Sequence, residues 1–485
     1  MKRLASTFAL FVVSFPSLMA ADFPSLLSQV PDDSNTITLI DVEALLKTPI
    51  AKAKGWDKRF RDGSADRPAY FPPEASKVVI ASQVDMLRDF SSTWQAAVID
   101  MKDDVNLDQV ARAEGGYTDQ VGKAKVVWAP SDAYFLAAGP TTLGLLTPAN
   151  RQSIGRWSDQ LQTARAGRLS DFLKEASESA GQGAQILIAI DAENVVQPHR
   201  VRARLQDSQA SKVLNIEETT QLLSSLKGLT LKIQLSDKAA ADVRIEFGRA
   251  VKLSPEIAKA LFIRALDTMG MSLPATDGLE CSVSGMTINL TGDLDPDSLR
   301  RVLSLTEMQT TKFSSLKEEK IEESSASDVA QLSLAYFQSI DSMLKDLRKR
   351  TKSSGTNNDA VWISRYAAKI DRLPILHVDE ELLTYGEKLS ETLHIMSGSR
   401  RMSTLEGSVA SRAERSSAGV STDNYGYGYG AYNYTSPGEA SRNAGNARLN
   451  AHAQGSAVQI QGWTLIDEAT LEIRKAMTKK YSIEF

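Results

Sequence analysis

The chain is nearly without cysteine. Cys281 is the only one among 485 residues, so no intramolecular disulfide can form. Stability must come from a packed core, which a chain of this length can bury. Histidine is scarce as well: His199, His377, His394 and His452 are the only four, and none belongs to a two-histidine metal motif. Glu391 and His394 make a single Glu-x-x-His pair, whereas a di-iron bundle uses two such pairs and two further glutamates. Positive charge is not in excess either. The formal charge is -4, and loss of Lys2 and Arg3 with a leader would take it to -6. That balance argues against nucleic acid, where clustered positive charge supplies most of the affinity. No Gly-x-Ser-x-Gly, Walker loop or dinucleotide fingerprint occurs. These absences leave no catalytic residue, metal ligand or cofactor to assign.

What the chain does have begins at its first residue. Lys2 and Arg3 precede an apolar run over residues 4–15, broken by Pro16 and Ser17 and followed by Leu18, Met19 and Ala20. A charged start, an apolar core and a small residue at the cut describe a cleavable export signal, with cleavage expected after Ala20. The run is shorter than the roughly 20 residues a membrane-spanning helix needs. No cysteine follows it, which excludes a lipoprotein anchor, and no later run is long and apolar enough to span a bilayer. The expected product is exported, periplasmic or extracellular, with no transmembrane segment after cleavage.

The remainder reads as α+β, with antiparallel or mixed sheets and packed helices, followed by a long C-terminal helical hairpin of coiled-coil type. Strands are expected near residues 36–42, 78–81, 126–129, 134–137 and 185–190. A helix is expected over residues 86–101 from Leu87, Phe90, Trp94 and Val98 at steps of three and four. A second unit of similar pattern starts near Val213, which makes two tandem related units one reading of the body. Leu229, Leu231, Ile233 and Leu235 alternate with polar residues, as do Val243, Ile245 and Phe247. Ser254-Pro255-Glu256 starts a helix. The implied division is a signal over 1–20, α+β units over 21–210 and 211–322, and a helical region with the first hairpin arm over 323–405. A low-complexity tip follows over 406–457, then a C-terminal helix over 458–485. Three helical stripes support the last parts: Val329 to Leu347, Val378 to Met396, and Ile460 to Met477. Stripes of this kind need partner helices.

Residues 406–457 hold only Val409, Val420 and Leu449 as aliphatic residues larger than alanine, too little for a core of their own. Within them Tyr425, Tyr427, Tyr429, Tyr432 and Tyr434 are spaced by glycine, alanine and asparagine. Such tyrosines offer adaptable amphipathic contact area, suited to a protein or an envelope glycan. The segment reads as the tip of a helical hairpin, with alanine-rich helix continuing some way up each arm; the alternatives are a tolerated low-complexity loop tip or a disordered insert.

Other groups have plainer explanations. Asp293, Asp295 and Asp297 alternate like a calcium loop, but Ser298 and Ser304 occupy the positions an EF-hand gives to glycine and glutamate. A helix start capped by Asp295 with Pro296 at its first position explains them. Cys281 alternates with Leu279 and Val283 and reads as a buried strand residue. Residues 139–142 read as a turn. Asp191 and Glu193 follow a strand with nothing else to mark a cleft. The alternating end, Tyr481 to Phe485, resembles a barrel signal, but the body lacks a barrel's many alternating segments. A short final strand or a frayed helix end is the reading.

The stretch Asp41-Val42-Glu43-Ala44-Leu45-Leu46-Lys47-Thr48-Pro49-Ile50-Ala51-Lys52-Ala53-Lys54-Gly55-Trp56 follows a Val30-Pro31-Asp32-Asp33 opening. It resembles the start of uncharacterised exported proteins of planctomycete-type bacteria, chiefly over the first sixty residues. The resemblance implies export and a non-catalytic role and transfers no site residues. The leading expectation is therefore an exported, non-enzymatic cell-envelope scaffold or interaction module. The alternative is an exported ligand-binding protein or hydrolase with its site in the α+β body. Self-association through the helical arms, giving a homo-oligomer, is a third reading.

Overall fold

A computed structural model describes residues 22–61, 72, 74–86, 91–206, 214–305, 326–348, 359–371, 373, 377–416, 419–422, 432–435 and 437–485. The expected signal and its cleavage residue Ala20 lie outside them.

The chain opens with α1 (Phe23–Leu27) and β1 (Thr36–Asp41), followed by three short helices, α2 (Val42–Lys47), α3 (Pro49–Ala53) and α4 (Trp56–Arg61). Strands β2 (Ala75–Asp85) and β3 (Ser91–Met101) lead to α5 (Leu107–Glu114). A four-strand meander comes next: β4 (Tyr117–Val121), β5 (Ala124–Ala129), β6 (Ala133–Ala137) and β7 (Thr142–Thr147). Then come α6 (Arg151–Gln162), α7 (Asp171–Glu178), β8 (Ile186–Asp191), α8 (Pro198–Gln206) and α9 (Ile216–Leu223). The hairpin β9 (Leu226–Leu235) and β10 (Ala239–Phe247) precedes α10 (Pro255–Met269) and a 3-10 turn (Pro274–Gly278). The body ends with β11 (Glu280–Ser284), β12 (Thr287–Leu294) and α11 (Pro296–Ser304).

All twelve strands join one antiparallel sheet, in the order β11-β12-β10-β9-β8-β1-β2-β3-β7-β6-β5-β4. Each expected unit contributes a contiguous block of it. Residues 21–210 supply β8 through β4, residues 211–322 supply β11 through β9, and the blocks join where β8 pairs with β9. Strands near the β11 edge keep the alternation that the sequence shows. In β10, Val243 and Ile245 are buried and Asp242 and Arg244 are exposed. The middle strands are covered on both faces. Ile40, Ile80 and Ile99 feed one core while Leu39, Val79 and Val98 feed the other.

Double coverage is why residues 86–101 are not the helix that their spacing suggests. Over residues 91–101 they form β3, between β2 and β7, with Ala96 to Ile99 fully buried. A strand buried on both faces is apolar throughout and loses the period of two, so three-and-four spacing arises by accident.

The C-terminal part comprises α12 (Ala326–Arg348), α13 (Ala360–Ile370) and α14 (Glu380–Ser416). A two-strand ribbon, β13 (Gly419–Thr422) and β14 (Tyr432–Thr435), then leads into α15 (Pro437–Tyr481). The three expected stripes become α12, α14 and α15. The sequence reading contains no helix over residues 360–370, yet α13 supplies Trp362, Ile363, Tyr366 and Ile370 to the bundle core. Of the two readings of the chain end, neither a strand nor a frayed helix accounts for Phe485. After α15 ends at Tyr481, this residue turns back and packs on Phe337 and Tyr481, with 6.0 Å between ring centroids in each case. Among the described residues, no helix is long and apolar enough to cross a membrane.

Candidate functional site

At 1.5 Å per residue, α14 and α15 run roughly 55 and 67 Å. Their bases are held firmly. Asp379 caps α14 by accepting the Glu381 N–H at 3.0 Å, and it also takes Lys480 Nζ at 2.8 Å and the Tyr481 hydroxyl at 2.5 Å from the end of α15. Its own N–H donates to Ser333 Oγ on α12 at 2.9 Å. Burial works against ionisation of this carboxyl, but the donors Lys480, Tyr481 and the Glu381 N–H hold it below the usual carboxylate range. Higher up, Tyr385 and Thr470 share a 2.8 Å hydrogen bond. At Gly462 a Cβ would lie 2.4 Å from Met396 Sδ, so any larger residue would require the Met396 side chain to shift.

Among the described residues, Met396 is the last of α14 in the bundle core. The helix continues to Ser416, the ribbon pairs Gly419 with Thr435 through Thr422 with Tyr432, and α15 returns from Pro437. Alongside this core and past its end, the hairpin exposes large apolar side chains. Ile395, Met402, Ile460, Leu465 and Leu471 are five of the eight large hydrophobic residues exposed among the described residues, Ile460 most of all at 68%. Of the five tyrosines singled out above, Tyr432 and Tyr434 lie on β14, paired with Thr422 and Val420. Tyr425, Tyr427 and Tyr429 lie outside the described residues. The exposed apolar positions are not separable from core positions in the sequence, because Ile460 begins the very stripe that marks the buried face of α15.

The body has a cleft of about 970 Å³. Its walls come from four distant segments: α3 and Trp56, the β9–β10 turn with Asp237 and Lys238, the 3-10 turn, and the start of α11. Proline opens three of these walls, at Pro49, Pro274 and Pro296, each at a helix start where its fixed φ fits. Among the acids singled out above, Asp293 pairs with Lys238 at 3.1 Å. Asp295 caps α11, accepting the Asp297 and Ser298 N–H groups at 3.0 and 2.9 Å. Asp297 pairs with Arg300 at 3.2 Å. Asp295 and Asp297 thus serve a helix start, and Asp293 belongs to β12.

The remaining candidates are dispersed. His394 Nε2 lies 3.2 Å from Asp371 Oδ2. Cys281 is half-buried on β11, and burial raises its thiol pKa. Asp191 accepts the Glu193 N–H at 2.9 Å in a local turn. Gly139 turns the chain between β6 and β7.

No family model matches the chain, and no curated protein matches it. Among solved structures it is similar to TP0453, a Treponema protein, in three crystal forms. Form III shows 12% identity and a TM-score of 0.34 over 58% of this chain and 96% of that one. Form I shows 12% and 0.32 over 60% and 97%, and form IV 11% and 0.32 over 58% and 95%. This likeness is too loose to carry a functional argument.

Proposed function

We propose that this is an exported, non-enzymatic protein of the cell envelope, a scaffold that makes contacts through its helical hairpin. The observation that carries this reading is that five of the eight large apolar side chains exposed among the described residues lie on α14 and α15. Where exposed apolar side chains adjoin, they mark interaction sites. The tyrosine-rich connection between the arms adds amphipathic contact area. The leader pattern supports export, and the partner is an envelope protein or glycan. Deleting residues 422–437 tests the tip: the fold should survive, and retention in the envelope fraction should fall. Unchanged retention counts against a contact role for the tip.

A second reading is an exported ligand-binding protein, favoured by the cleft in the body. Its volume matches small-molecule sites, and Trp56, Ile50 and Leu299 give it apolar walls beside Lys54, Asp237 and Lys238. Screening a small-molecule library for a shift in melting temperature tests it. A hit lost on placing a bulky residue at Ala275 supports the cleft, and a hit indifferent to that change refutes it.

A further inference from the structure

The cleft and the hairpin bundle share one helix. Asp295, Pro296, Leu299 and Arg300 of α11 form one wall of the cleft. The same helix holds the bundle through two consecutive arginines. Arg300 donates from Nη2 to Asp346 Oδ1 at 3.0 Å, places Nε 2.9 Å from Oδ2, and donates from Nη1 to Ser342 Oγ at 2.9 Å. Arg301, only 1% exposed, donates to the carbonyls of Ser272 at 3.2 Å and Asp346 at 2.5 Å.

The neighbouring wall is tied to the same bundle. The Ser272 carbonyl also accepts Trp362 Nε1 from α13 at 2.8 Å, and Ser272 leads directly into the 3-10 turn. Within that turn the Ala275 N–H donates to Ser298 Oγ of α11 at 3.2 Å. Arg365 of α13 donates to the Ser304 carbonyl at 3.1 Å, and the Val361 N–H to the Gly270 carbonyl at 3.1 Å. The two opposite walls belong to the sheet: the Ile50 N–H of α3 donates to the Ser236 carbonyl beside the β9–β10 turn at 2.9 Å. α11 belongs to both parts: its arginines hold the bundle, while its Leu299, Val302 and Leu303 pack in the core of the sheet, so this helix joins the two sides of the cleft.

Hydrogen bonds to charged groups are stronger than neutral ones, and Arg301 and Asp346 are almost wholly out of water. Sliding α11 along α12 would break several of them together, so the two helices move as one body. α12 in turn gives Phe337, Ile340, Leu344 and Leu347 to the core that α14 and α15 complete.

We infer that α11 couples the cleft to the hairpin, so that occupancy of the cleft regulates how α14 and α15 are presented. The regulatory consequence rests on the hairpin being the contact surface; the mechanical coupling does not. Movement of the cleft walls is passed through the Arg300–Asp346 and Arg301 contacts to α12, and from α12 to the hairpin base.

A covalent occupant tests this without a known ligand. In full-length protein carrying Cys281→Ser, Ala53→Cys or Ala275→Cys is labelled with N-phenylmaleimide, and amide exchange is followed by mass spectrometry. A control label is placed at Lys174→Cys, on exposed α7. Coupling predicts that either cleft label changes exchange in α12 and in residues 380–396 by at least about fivefold, the low end of ordinary coupling between sites. The control label should leave both regions unchanged. Adding Asp346→Asn, or the milder Arg300→Lys, should abolish the effect at residues 380–396 while keeping it at the cleft walls. The inference is overturned if neither cleft label alters exchange in the bundle, or if the change persists with the clamp removed. Because exchange and not partner capture is read, this outcome is independent of the hairpin's contact role.

Discussion

Arg300 grips Asp346 along both edges of the carboxylate, with Nη2 3.0 Å from Oδ1 and Nε 2.9 Å from Oδ2. The contact joins α11, the last helix of the body, to the last turn of α12, across a chain separation of 46 residues. Asp346→Ala should destabilise the protein by about 2–3 kcal/mol. This is below the full cost of breaking a wholly buried pair, because Arg300 still reaches water. Urea denaturation checks it, and a loss under about 0.5 kcal/mol would make the contact incidental.

The hairpin base should be sensitive to acid. The Asp379 carboxyl is held below its ordinary value by Lys480, Tyr481 and the Glu381 N–H, against the opposing effect of burial. A depressed folded-state pKa contributes stability that is present above the unfolded value of about 3.9 and is lost as pH falls through the folded value. The difference in melting temperature between the native protein and Asp379→Asn should therefore be constant down to about pH 5 and shrink below pH 4. A difference that grows on acidification would contradict the assignment.

Gly386 reverses the usual rule for glycine in helices. Replacing an exposed helical glycine by alanine ordinarily stabilises by about 1 kcal/mol. Here a Cβ would meet the Tyr336 hydroxyl at 2.1 Å, and Tyr336 is buried. Gly386→Ala should be destabilising, and adding Tyr336→Phe should recover part of the loss because the nearest clashing atom is gone. A double-mutant cycle by thermal denaturation gives the sign. Additive effects would mean that the ring moves aside without cost.

The amphipathic helices and the strands near the β11 edge were legible in the residues because each has one wet face. α12, α14, α15, β9 and β10 follow from spacing alone, and so do the caps at Ser254 and Asp295. β3 was not legible, since residues such as Ala96, Ala97, Val98 and Ile99 are buried on both faces and carry no alternation. Nor was the cleft, whose walls bring Trp56, Asp237, Ala275 and Arg300 together only through folding. The doubled arginine at 300 and 301 was visible as two charges on a short helix. Burial of Arg301 to 1% exposure could not be read from it, because the backbone carbonyls of Ser272 and Asp346 that it donates to have no side-chain signature.

The central claim is that the hairpin makes the contacts, and site-specific photocrosslinking in the native cell tests it most directly. A photoreactive residue is placed in turn at Ile395, Ile460 and Leu465 on the hairpin, and at Tyr117 and Met286, which are comparably exposed on the sheet. The expected result is crosslinking to the same envelope neighbours from all three hairpin positions and none from the sheet positions. Crosslinks from Tyr117 or Met286 alone, or none from the hairpin, would contradict it.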